Sequence, residues 1–232
     1  MTIRYKAIMI DHDDTTVDST PKINYLSYVN FCNTIMKDRT YYTMLNLQQW
    51  YELLWEDKYY DHIKNVMKLE KHELDLEYDM WLEFIKDKHP TFFPGFHEML
   101  VEYKKRGGMI AVVSHCDEVA IRRHYAEYQC ENENDRIVPD IVYGYIKGKP
   151  ELNKPNVYPV EDFKKKFNLK NEDICVIDDL SPGLIMGNNA GIDSIGVVYG
   201  EGHETIADKI KEISKYVFDS VDELSNFLLC KN

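Results

Sequence analysis

The chain has 232 residues, 44% of them hydrophobic and 29% charged, with a formal net charge of -12. This composition describes a globular chain of one large domain, or of one domain with a smaller insert, and excludes a disordered, low-complexity or repeat architecture. The acidic balance, unrelieved by any basic run, disfavours nucleic acid and anionic membrane partners but permits a small anionic ligand in a pocket where local cations dominate.

Residues 6–10, Lys-Ala-Ile-Met-Ile, predict a strand buried on both faces, and Asp11-His12-Asp13-Asp14-Thr15 follow at its carboxyl end. Open α/β sheets keep their ligands at that edge. Carboxylates two apart on an extended strand share a face, and their repulsion drives one pKa up unless a cation neutralises them, so the cluster calls for a metal.

Thr20-Pro21 has the form of an N-cap followed by a first-turn proline, and Tyr25, Tyr28, Val29 and Cys32 then share one helix face. Further helices are expected over 47–68 and 74–86. The interval 20–92 is too long for a single βα crossover and predicts an inserted helical domain, with Trp50, Trp55 and Trp81 in its core. Pro90 and 92–95, Phe-Phe-Pro-Gly, mark the return to the sheet.

Met99, Leu100 and Tyr103 line one face of a helix over 98–106, stopped by Gly107-Gly108. A strand over 109–113 delivers Ser114 and His115 at its mouth. Lys-Pro steps occur at 149–150 and 154–155, and a helical stretch covers 161–167. Apolar runs at 174–177, 195–198 and 217–218 complete the alternation of a parallel α/β sheet, the first of them ending in Asp178-Asp179. Cys32, Cys116, Cys130, Cys175 and Cys230 are scattered and odd in number, without CxxC spacing, and are expected to be reduced thiols. The first apolar run is too short for a secretory core and nothing reaches membrane-spanning length, so the cytoplasm is the expected compartment.

Taken in this order, Asp11-His12-Asp13-Asp14-Thr15, Ser114, Lys154 and Asp178-Asp179 resemble the four motifs of the haloacid dehalogenase superfamily, and in particular its phosphatases with a helical cap inserted after the first motif. The resemblance spans nearly the whole chain and implies a Rossmann-like, doubly wound parallel sheet core at 1–19 and 93–232, with an all-α cap at 20–92. It implies Asp11 as the nucleophile that forms an aspartyl-phosphate and Asp13 as general acid and base. Lys154 would pair with the nucleophile and the phosphate. It is preferred to Lys149 because Lys154-Pro155-Asn156-Val157-Tyr158-Pro159 leads into a helical stretch, as the family lysine does.

The same resemblance implies phosphate binding by Ser114, with His115 beside it, and Mg2+ held by Asp11, the Asp13 carbonyl, Asp179 and Asp178. His12 is read as a main-chain contributor, and Asn188, Asn189 and 217–220 as support for the fold. The expected activity is hydrolysis of a small phosphorylated metabolite, phosphoglycolate-like compounds being the nearest analogy. A sugar phosphomutase and a catalytically silent phosphate-binding protein are the alternatives. Asp13 argues against a dehalogenase or a phosphonate-cleaving enzyme, and Ile23 stands where a mutase places a histidine. The motif order excludes a phospho-receiver domain. Asp14 occupies the position where the family most often has glycine, and no task is assigned to it.

Overall fold

The computed structural model describes residues 2–130 and 132–231. In chain order the strands are β1 (Ala7–Ile10), β2 (Val17–Asp18), β3 (Thr91–Phe92), β4 (Met109–Val113), β5 (Ile141–Tyr143), β6 (Ile174–Asp178), β7 (Asp193–Val197) and β8 (Tyr216–Phe218). The helices are α1 (Tyr25–Phe31), α2 (Leu47–Trp55), α3 (Tyr59–Asp61), α4 (Lys71–Ile85), α5 (Phe96–Lys105), α6 (Glu118–Glu127), α7 (Tyr158–Phe167), α8 (Ser181–Asn189), α9 (Ala207–Ile213) and α10 (Val221–Leu228).

Six strands form one parallel sheet in the order β5-β4-β1-β6-β7-β8, the doubly wound arrangement expected from the sequence. Strand β1 is central. The alternation of side chains along each strand divides the core in two: Ile8, Ile10, Ile110, Val112, Cys175 and Ile177 pack on one face, and Ala7, Met9, Ala111, Val113, Ile174 and Val176 on the other. Phe96, Leu100 and Leu224 cover the first face from α5 and α10. Val160, Phe163 and Met186 cover the second from α7 and α8. The edge strand β5, three residues paired only with β4, is too short to have announced itself as an apolar run.

The chain leaves the sheet through β2 and returns through β3, and the two pair antiparallel, Val17 with Phe92 and Asp18 with Thr91. Between them the chain is helical. The helical stretch expected over 47–68 is divided into α2, α3 and a π-helical turn at His62–Val66, because Asp57 adopts a left-handed φ of 54° and ends the first piece. Asn46 caps α2, its side chain accepting from Gln49 N–H at 2.9 Å. Tyr28, Phe31, Trp50, Ile63 and Met67 make a separate apolar cluster in this segment. Of the three tryptophans, Trp50 lies in that cluster, whereas Trp55 and Trp81 are half-buried against clusters that include residues of the sheet and its helices. No helix among the described residues is long and apolar enough to cross a membrane.

Candidate active site

Four loops meet at the carboxyl edge of the sheet around β1. Strand β1 ends in Asp11, whose N–H donates to the Ile177 carbonyl at 2.9 Å and so continues the β1–β6 ladder by one residue. Strand β4 ends in Ser114, whose N–H donates to Tyr143 O at 3.0 Å. Strand β6 ends in Asp178 and Asp179, and Lys154 arrives from the loop that precedes α7. Asp11, Ser114, Lys154, Asp178 and Asp179 are all 5% exposed or less.

Lys154 Nζ lies 2.9 Å from Asp11 Oδ1 and 2.7 Å from Asp178 Oδ2. Burial alone would lower its pKa, but Asp11 and Asp178 together hold it above the usual lysine value, so the ammonium stays charged. Burial raises the Asp11 carboxyl well above its ordinary range; Lys154 opposes that shift, and Asp178, Asp179 and Asp13 add to it. Asp178 is pushed up to about 6 by burial, against the pull of Lys154. Its second oxygen accepts from Leu180 N–H at 2.8 Å, which fixes the carboxylate at the start of α8. Lys149, the other lysine of a Lys-Pro step, is exposed and makes none of these contacts.

Asp11, Asp178 and Asp179 each present an oxygen within 4.8 Å of the others. Asp11 Oδ1 is buried and, beyond its ion contact with Lys154, has no hydrogen-bond partner. An all-oxygen set with an orphaned buried carboxylate oxygen fits a hard divalent cation, so this cluster could hold a metal. Asp13, two residues beyond Asp11 and half-buried, accepts from Ser19 Oγ at 2.5 Å. Ser114 Oγ accepts from Cys116 N–H at 3.2 Å. His115 donates from Nε2 to the Lys154 carbonyl at 2.7 Å, bracing the lysine loop, and burial lowers its pKa to about 4.

The sequence model of the haloacid dehalogenase-like hydrolases matches residues 8–197, which contain every one of these loops. The chain belongs to this family. No curated protein matches it. Among solved structures it resembles a predicted phosphatase from Clostridium acetobutylicum, with 19% identity, 97% of this chain and 98% of the other covered, and a TM-score of 0.73. It is also similar to a predicted phosphoglycolate phosphatase from Haemophilus somnus 129pt, at 17% identity, 99% of each chain and a TM-score of 0.71. A candidate β-phosphoglucomutase from Bacteroides vulgatus gives 19% identity, 97% and 88% coverage and a TM-score of 0.71. At these identities the likeness establishes the shared fold.

Three residues of this hydrolase have roles that sequence reasoning missed. His12 is fully buried and donates from Nε2 to His124 Nδ1 at 2.8 Å, while His124 Nε2 donates to Lys88 O at 3.0 Å. Its side chain therefore ties the first motif to α6 and to the return segment, beyond the main-chain part expected of it. Asp14 has a φ of 56°, the left-handed conformation that explains why glycine is common there. Its Oδ1 accepts from Ser19 N–H at 3.0 Å and Thr20 N–H at 2.9 Å, and Tyr51 donates to Oδ2. Burial and Asp179 push its pKa up to about 7, with His203 opposing. His203, 3.2 Å from Asp179 Oδ2, could have been flagged only by the flanking Gly200-Glu201-Gly202.

Gly183 in the first turn of α8 is required by Asp178, because a Cβ there would overlap the aspartate carboxylate. Gly183→Ala should cost about 1–3 kcal/mol in a urea melt as Asp178 is displaced, and an unchanged midpoint would contradict this packing. Burial lowers the His124 pKa to about 3 in the fold. The unfolded chain then takes up a proton below about pH 6.5 that the folded chain refuses, so this histidine's contribution is present above that pH and is lost as pH falls. The stability advantage of wild type over His124→Gln should shrink by about 1–2 kcal/mol between about pH 7 and about pH 5, and an advantage that grows would contradict the neutral pair.

Proposed function

We propose that this chain is a magnesium-dependent phosphatase that hydrolyses a small phosphorylated metabolite through an aspartyl-phosphate, with phosphoglycolate-like compounds as the nearest analogy. The observation that carries this reading is the buried contact of Lys154 with both Asp11 and Asp178, two residues before Asp13 and beside Asp179. Asp11 attacks phosphorus and Asp13 first protonates the departing oxygen, then, as a carboxylate, takes a proton from the water that cleaves the acyl phosphate. Lys154 neutralises charge on Asp11 and on the phosphoryl oxygens, and Ser114 donates to one of those oxygens. His115 supports phosphate binding through the Lys154 loop it braces.

Asp11, the Asp13 carbonyl and Asp179 would hold Mg2+, with Asp178 beside them; a bound magnesium supplies neutralisation of the charge spread over the transferring group. The segment 20–92 is a cap over a core made of 1–19 and 93–232. Asp11, Asp178 and Asp179 are buried, so the cap would swing about the paired β2 and β3 to admit substrate. A mutase is disfavoured because Ile23, at the position of the mutase histidine, is buried in the apolar cluster. The free thiols of Cys32, Cys116, Cys130, Cys175 and Cys230 suit a cytoplasmic enzyme.

A phosphate-release screen over phosphorylated metabolites and an aryl phosphate tests the proposal. Wild type should release phosphate only with magnesium, Asp11→Asn should fall to background, and Asp13→Asn should lose about 10²–10⁴-fold. Turnover of no compound, or turnover that survives Asp11→Asn, would sink it. Added magnesium should also raise the melting temperature of metal-free protein, because the cation binds the folded cluster and the unfolded chain offers no comparable site.

A further inference from the structure

Tyr51 projects from α2, in the helical insert, yet it is fully buried among Leu184, Ile206 and Ile210 of the sheet domain and its helices. Its hydroxyl proton is shared between Asp14 Oδ2 and the Glu201 carbonyl, the latter at 2.8 Å. The loop at 200–203 is shaped around this ring. Gly202 has a φ of 89°, and a Cβ there would run into the tyrosine. A Cβ at Gly200 would lie 2.6 Å from His203 Cε1, so both glycines are needed for the loop to seat Tyr51 and fold His203 back.

His203 is fully buried, and its Nδ1 accepts from Gly200 N–H at 3.1 Å. Its proton is therefore on Nε2, which lies 3.2 Å from Asp179 Oδ2 and 3.8 Å from Asp14 Oδ2. A ring in that tautomer turns its N–H toward the two carboxylates, in close contact but without an aligned hydrogen bond, and has no lone pair there for a cation, although Asp14, Asp179 and His203 cluster as closely as a metal site would. Thr15 Oγ1 holds the other Asp179 oxygen at 2.8 Å.

We propose that Tyr51 is a plug through which the docked insert positions Asp179: Tyr51 fixes Asp14, and His203 spans Asp14 and Asp179, so the seated plug steadies the Asp179 oxygen that Thr15 does not hold. This inference rests on reading Asp179 as a metal ligand. Tyr51, Asp14 and His203 are positioning residues that touch neither substrate nor phosphorus. Partners that orient a ligating carboxylate strengthen metal binding without entering the coordination sphere. Withdrawal of the insert would break both hydroxyl contacts at once and leave Asp14 Oδ2, the oxygen facing His203, without its tyrosine partner, which is how the position of the insert reaches the metal cluster.

Hydrogen–deuterium exchange and calorimetric titration with magnesium chloride on full-length wild type, Tyr51→Phe and His203→Asn test the inference. Tyr51→Phe retains the ring but should accelerate exchange in α2 and at 200–203 together, and weaken magnesium binding by about tenfold. His203→Asn should weaken magnesium binding to a similar degree while α2 stays protected. Unchanged magnesium affinity in Tyr51→Phe overturns the proposal, whether or not exchange in α2 rises, because Tyr51 would then serve packing alone. Wild type that binds magnesium but releases no phosphate overturns the hydrolase reading and not this one, whereas wild type that binds no magnesium overturns both.

Discussion

Among the described residues, the Lys154 ammonium is the group that makes so dense a crowd of buried carboxylates tolerable. Asp11, Asp14, Asp178 and Asp179 are each 4% exposed or less, and Lys154 contacts two of them directly. Buried carboxylates resist ionisation, as the raised pKa values of Asp11, Asp14 and Asp178 attest, and one ammonium cannot neutralise four of them. The imbalance is confined to the carboxyl edge of the sheet. There a divalent cation could offset part of the excess negative charge, which is why an arrangement unfavourable for folding suits a metal-assisted phosphoryl transfer.

The parallel sheet and the residues at its mouth were legible in the sequence because they are local patterns. Apolar runs before Asp11, Ser114 and Asp178 mark central strands, and the polar residue that ends each run marks the ligand edge. Lys154 was found through resemblance, since nothing in its own spacing distinguishes it from Lys149. The ends of elements were less readable. The break in the helix after Trp55 depends on the left-handed backbone at Asp57, a conformation that an aspartate permits but does not announce.

Contacts between the insert and the sheet were not legible. Nothing in the sequence singled out Tyr51, and its burial against Leu184 and Ile210 follows from where the insert docks, which no periodicity encodes. Asp14 looked awkward because its partners, Tyr51 and the N–H groups of Ser19 and Thr20, become visible only in three dimensions. An aspartate in a left-handed turn is strained relative to glycine, and here three hydrogen bonds hold it there. In the proposed mechanism the first motif thus contains two carboxylates that act in the reaction, Asp11 and Asp13, and a third, Asp14, that receives Tyr51 of the insert.

The central claim is that Asp11, and no other carboxylate of the cluster, bonds to phosphorus. Rapid acid quench of the enzyme during turnover of a phosphate ester, borohydride reduction of the acyl phosphate and peptide mass spectrometry would test this directly. The account predicts reductive labelling confined to Asp11 and absent from Asp11→Asn. Labelling at Asp14, Asp178 or Asp179, or turnover with no label on any carboxylate, would contradict it.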